Sequence, residues 1–218
     1  MGFEDQIATF FQGYAYQPMW VYVGVVVFMF LSSFGLPLPE EVTLVSAGLV
    51  AYMAMHPDKY PPPDEGTPVN VYVLAVVCFI AVIASDYLIY WIGKYFGRPL
   101  LKKPRFKKYF PPSVVTRIEN WVQAYGAWAA GLFRFTPGLR FPGHMMCGMM
   151  SLPTWKFLAV DGTAALLTVP TQIILVAFYG EFILTYFGKF KFVIGGVLLA
   201  ILIFVVVRKF ILWRTRPT

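Results

Sequence analysis

Charge is what this chain has least of. Asp, Glu, Lys and Arg make up 13% of its 218 residues, where a soluble domain carries ~25%. So little charge cannot cover a water-facing surface, and a mean hydropathy of +0.64 agrees. Lipid is therefore the expected solvent. Cysteine is scarce too: Cys78 and Cys147 both lie in apolar stretches and form neither a disulfide framework nor a metal motif. The two histidines, His56 and His144, lack metal-ligand spacing, so no metal or other cofactor is expected. The chain starts MGFEDQ, acidic where a cleavable signal would be basic, and position six is neither Ser nor Thr, which weakens a myristoylation reading.

What charge there is sits unevenly. The net charge of +7 is concentrated in residues 94–108 and 208–216. In a soluble protein such runs would suggest nucleic acid. Beside apolar spans they read as a topology signal, and no nucleic-acid partner is expected.

A spanning helix needs ~20 apolar residues. Residues 71–92, 157–179 and 192–212 meet that requirement. Residues 20–52 and 127–152 are apolar but interrupted, the first by Gly35-Leu36-Pro37-Leu38-Pro39-Glu40-Glu41, the second by Arg134-Phe135-Thr136-Pro137-Gly138-Leu139-Arg140-Phe141-Pro142-Gly143. Closely spaced prolines end a helix. Irregular backbone at membrane depth survives only inside protein or along a cavity. Both segments are therefore expected to be re-entrant hairpins.

The halves resemble one another. Pro37 and Pro137 are offset by 100 positions, as are Ala47-Gly48 and Cys147-Gly148. Each hairpin leads to a span ending in aromatics and glycine, at Tyr90-Trp91-Ile92-Gly93 and Phe178-Tyr179-Gly180. Each is preceded by a short amphipathic segment, residues 3–11 and 114–122. The alternative is chance alignment of glycines and prolines, which membrane helices use freely. The basic loop after residue 93 and the basic C-terminus belong in the cytoplasm. The two hairpins then enter from opposite faces. The expected fold is thus an all-α integral membrane protein with an inverted repeat, two opposed re-entrant hairpins and about three full spans. Repeat one covers about residues 3–95, repeat two about 112–180, and a C-terminal span about 192–212, all in one domain.

Charged residues within apolar segments are few: Glu40, Glu41, Asp86, Arg134, Arg140 and Asp161. Each costs ~2.5–3.5 kcal/mol at a helix centre, so they should face a cavity or each other. Glu40 and Glu41 follow Pro39, an ordinary helix start. That explains their position but not the cost of a carboxylate at depth. A buried carboxylate is pushed toward neutrality, which makes Glu41 the expected proton-titrating group, with Glu40 second and Asp86 also a candidate. Arg134 and Arg140 have planar forks suited to phosphate oxygens; the alternative is that they pair with the acids. Asp161, Thr136, Gly138 and His144 are candidate cavity-lining residues, with helix packing an equal reading of Asp161 and the plainer one of His144. Met145, Met146, Met149 and Met150 read as core filling, and Trp121, Tyr125, Trp128 and Trp155 as interface anchors.

Three stretches together are similar to the DedA family, whose members carry the VTT or SNARE-associated domain. They are Pro37-Leu38-Pro39-Glu40-Glu41 with Ala47-Gly48, the block from Asp86-Tyr87-Leu88-Ile89-Tyr90 to Arg98, and Phe133-Arg134-Phe135-Thr136-Pro137-Gly138-Leu139-Arg140. The resemblance covers about residues 30–180. It implies a flippase for an anionic membrane lipid, undecaprenyl phosphate or a phospholipid, in the bacterial cytoplasmic membrane. Coupling to protons is implied as well, with the C-terminus cytoplasmic. It maps the family's functional acid to Glu41 and its two arginines to Arg134 and Arg140. Some members carry a second acid upstream in the first hairpin, and residues 21–34 here hold none; Glu40 is extra and stands as its substitute. No enzyme activity is expected, for a lipid phosphatase would need a nucleophile, base or metal set, and His144 near Arg140 is the one hint of it. A non-transporting scaffold or ion carrier is the other rival. The expected partners are a lipid and protons, with oligomers open.

Overall fold

The computed structural model describes residues 10–33, 40–62, 66–102, 111–136 and 139–214. Every regular element among them is an α-helix: α1 Pro18–Ser33, α2 Glu40–Met55, α3 Val71–Lys102, α4 Pro112–Tyr125, α5 Trp128–Arg134, α6 Arg140–Met149 and α7 Thr154–Arg214. Within them, Val71–Gly97 and Thr154–Leu184 are long and apolar enough to cross a membrane. These stretches contain the spans expected over 71–92 and 157–179.

Local chemistry accounts for the ends. α1 opens on a proline, whose missing N–H is no loss in a first turn. α2 opens on Glu40 and Glu41, favoured by the helix dipole. Asn70 caps α3, its Oδ1 accepting from the Tyr72 and Val73 amides. In α7 the backbone leaves helical geometry at Tyr179 (φ −106°, ψ 20°), where the second long span was expected to end. Residues 192–212 continue as helix beyond this kink.

α1 and α2 have 16 residues each, so each is about 24 Å long. α5 has 7 and α6 has 10. None reaches across a hydrocarbon layer of ~30 Å. The prolines between α1 and α2, Pro137 and Gly138, the amphipathic stretch before residue 10 and most of the basic loop over 103–110 lie outside the described residues.

Two cores form. In the first, α2 lies along α7, and Met29, Ala51, Leu74, Cys78, Val169 and Ile173 are buried together. In the second, α6 lies along α3, and Tyr90, Ile118, Phe133, Met145, Met146 and Phe157 are buried together. The methionines are core, as expected. Trp121 departs from its expected role at the interface. It is half-buried and stacked on Phe133 (5.9 Å, 6°), because α4 turns its apolar face onto this core. Tyr125, Trp128 and Trp155 are exposed.

Glycine sets the approach of α6 to α3. A Cβ on Gly148 would sit 2.0 Å from the Tyr90 carbonyl oxygen, and one on Gly93 2.0 Å from that of Met145. Only bare backbones fit there. This contact brings the middle of α3 against the start of α6.

Candidate functional site

Six ionisable side chains from five helices converge where α3, α5, α6 and α7 meet the start of α2. Asp86, with no exposed surface, projects from mid-α3. Arg134 ends α5, where the dipole favours a cation. Arg140 opens α6, where the dipole disfavours one, so its place depends on nearby carboxylates. His144 stands one turn after Arg140, on the same face. Asp161 comes from α7 and Glu40 from the first turn of α2.

Asp86 binds both arginines. Its Oδ2 accepts from Arg134 Nη2 and, at 2.7 Å, from Arg140 Nη2, while Oδ1 accepts from Arg140 Nε at 3.0 Å. The Arg140 contact is the bidentate fork. Asp161 Oδ1 accepts from Arg134 Nε (3.1 Å) and Nη2 (3.0 Å). Glu40 pairs with Arg140 Nη1 and lies 3.8 Å from Arg134 Nη1. His144 is fully buried. Its Nδ1 lies 3.3 Å from Asp86 Oδ1 without the alignment of a hydrogen bond. Its Nε2 lies 3.3 Å from the Ala130 carbonyl oxygen and 3.5 Å from Asp161 Oδ1. Phe157 closes the site, edge-on to the imidazole at 5.2 Å.

The arginines thus pair with acids, the second of the two readings open from the sequence. Such a cluster holds because its members are mutually bonded; an isolated buried charge would cost several kcal/mol. Asp86, His144 and Asp161 hold donor atoms within 4.8 Å of one another, the spacing of a cation site. The guanidiniums already fill that cationic role. Arg134 binds both aspartates.

A recess of about 270 Å³ opens beside the cluster, lined by Glu40, Glu41, Leu44, Arg134, Phe135, Arg140, Thr168, Val169 and Gln172. Both arginines and Glu40 thus face it. Glu41 lies at its rim and is exposed, so the burial expected to tune it is absent. Thr136 is partly exposed and bonds the Leu132 carbonyl oxygen; it does not line the recess. Gly138 lies outside the described residues. Thr168 and Gln172, one turn apart on α7, line the recess and were not anticipated. Their polarity on one face of an apolar span was the available signal.

The VTT domain matches residues 38–180. The chain belongs to the DedA family of VTT-domain membrane proteins. All six clustered side chains fall inside the matched stretch. The chain is 31% identical to an uncharacterized membrane protein of Mycobacterium tuberculosis over 194 residues, 85% of this chain and 84% of that one. It is 28% identical to protein DedA of Escherichia coli over 155 residues, 69% of this chain and 65% of that protein. It is 30% identical to undecaprenyl phosphate transporter A of Bacillus subtilis over 125 residues, 56% of each. No solved structure matches it. This DedA-family chain is thus an all-α membrane protein.

Proposed function

We propose that this protein carries an anionic lipid, undecaprenyl phosphate or a phospholipid, across the cytoplasmic membrane, with protons taking part. One observation supports this above all: two guanidiniums face a polar recess within an apolar protein and share their carboxylate partners. The transporter of Bacillus subtilis named for undecaprenyl phosphate is a relative. The phosphate competes with Glu40 for Arg140 and Arg134. Glu40 is the partner to yield, because its side chain is 11% exposed while Asp86 and Asp161 are fully buried. Glu41, at the rim, passes protons between water and the recess. The acyl tail stays in lipid.

The architecture proposed is an inverted repeat, α1–α3 and α5–α7, with re-entrant hairpins α1–α2 and α5–α6 entering from opposite faces and the C-terminus in the cytoplasm. The short helices support it. So does an exchange of partners, in which the second hairpin helix of each half packs on the long span of the other. The protein moves its lipid without reacting on it, for the acids that would act as bases are tied to arginine.

The test is reconstitution in phosphatidylcholine liposomes containing a fluorescent prenyl phosphate, with dithionite quenching of the outer leaflet. The protein should speed transbilayer movement and Arg140→Ala should abolish the gain. A rate equal to that of empty liposomes, with or without a pH gradient, sinks the proposal.

A further inference from the structure

The two arginines hold most of their donors on buried aspartates. Arg134 places Nε and Nη2 on Asp161 and Asp86, and Arg140 places the same two nitrogens on Asp86. Each turns its remaining nitrogen, Nη1, toward Glu40. When Glu40 yields, two guanidinium nitrogens come free and the bonds to the aspartates stay intact. Two such nitrogens suit two phosphate oxygens.

A phosphodiester has two non-bridging oxygens and a phosphomonoester has three. The third needs another donor, and the lining side chains narrow the choice. Leu44, Phe135 and Val169 have none, and ionised Glu40 and Glu41 only accept. Thr168 donates its hydroxyl proton to the Ala164 carbonyl oxygen at 2.9 Å, so it turns lone pairs to the recess. Gln172 remains. Its carboxamide carries two N–H donors. It is half-buried, stands in the apolar stretch Val169-Pro170-Thr171-Gln172-Ile173-Ile174-Leu175, and bonds no partner among the described residues. A polar side chain in a membrane helix ordinarily bonds a neighbouring helix; this one faces the recess instead.

The long span fixes its place. Asp161, Ala165, Thr168 and Gln172 are spaced by four, three and four residues, which keeps them on one face of α7. The helix that anchors Arg134 through Asp161 thus also carries Gln172 to the recess.

Resting on the lipid-phosphate reading above, we infer that Gln172 is a specificity-determining residue of the recess. Its amide N–H donates to the third oxygen of a terminal lipid phosphate, while Nη1 of Arg134 and Nη1 of Arg140 hold the other two. The recess thereby favours a lipid phosphomonoester over a phosphodiester.

The test uses the full chain in detergent micelles at pH 8, where a phosphomonoester with its second ionisation near about pH 6 is a dianion. Affinity is measured for geranylgeranyl monophosphate and for its monomethyl ester, which keeps two non-bridging oxygens. Geranylgeraniol is the uncharged control. Gln172→Leu should weaken the monophosphate about tenfold, as loss of a hydrogen bond to a charged group does, and the methyl ester less than about twofold. Gln172→Met, which keeps the length and loses the donor, takes its place should Gln172→Leu fail to fold. Thr168→Val removes polarity from the same face and should change neither affinity. Equal weakening of both phosphates at Gln172, no weakening of either, or a selective loss as large from Thr168→Val overturns the assignment and leaves the arginine site standing. If the intact protein binds neither phosphate more tightly than geranylgeraniol, the carrier reading fails and the assignment fails with it.

Discussion

The two helix pairs at the centre of the molecule are built alike and charged differently. α2 packs on α7 and α6 packs on α3, each through glycines at matching sequence positions: Gly48 meets Val176, Gly180 meets Tyr52, Gly148 meets Tyr90 and Gly93 meets Met145. Glu40 opens α2 and Arg140 opens α6, one hundred positions apart, and the two pair with each other. Beyond that the correspondence stops. Leu44 occupies the place of His144. Seven residues before Gly180 stands Ile173, and seven before Gly93 stands Asp86. Leu44 and Ile173 are buried in an apolar core, while His144 and Asp86 are buried in an ionic one. The two seams thus share close glycine contacts, and the buried charge is concentrated at one of them.

That asymmetry breaks most readily at Asp86. Asp86→Leu, copying the apolar half, removes the carboxylate that both guanidiniums share and leaves Arg134 with Asp161 and Arg140 with Glu40. Losing one partner of a buried ion pair costs ~3–5 kcal/mol, so little monodisperse protein should survive extraction and gel filtration. Ile173→Asp, the converse, places an unpaired carboxylate in the first core and should be comparably damaging. An intact, thermally unshifted Asp86→Leu protein would show that the cluster is not what holds α3, α5 and α6 together.

The glycine contacts should rank unequally. Overpacking costs ~1–3 kcal/mol. A methyl on Gly148 meets backbone on α3, which cannot rotate away, whereas one on Gly48 meets the side chain of Val176. Gly148→Ala should lower the thermal midpoint more than Gly48→Ala, and equal losses would mean the two seams are equally tight. A smaller effect is expected for Glu40→Gln, since Arg140 keeps Asp86; it should tighten phosphate binding, and weaker binding would show that Glu40 helps to hold the lipid.

The least effect lies outside the cluster, at the exposed pair Lys59 and Glu181, 2.6 Å apart. The hydrogen bond to Glu181 holds the Lys59 ammonium above its usual range. Whatever stability this adds is fully present below an ordinary lysine pKa of about 10.4 and lost as pH rises through the raised value. Lys59→Ala should leave the thermal midpoint unchanged from pH 6 to 8 within measurement scatter, as surface pairs contribute little. A clear drop would show that this contact ties the 56–62 loop to α7.

Much of this was legible in sequence because it is local. Apolar run length marks a span, closely spaced prolines mark its interruption, and acids after a proline mark a helix start. These depend on neighbours within a turn or two. The same holds for the charged residues as a set, since any charge within an apolar run must be rescued. Who rescues whom is not local. Asp86 reaches Arg140 across 54 positions and Arg134 across 48, while Asp161 reaches Arg134 across 27. Sequence favoured Glu41 because it assumed burial, and the turn of α2 directs Glu40 to the arginines instead, its side chain 11% exposed, and leaves Glu41 at the rim. His144 read as a packing residue for the same reason: nothing within four residues but Arg140 is charged, and its acidic neighbours arrive on α3 and α7. The composition and order of residues thus determined a helical membrane protein with charged breaks. Only the close contact of α6 on α3, permitted by Gly93 and Gly148, decided that those charges meet around one histidine.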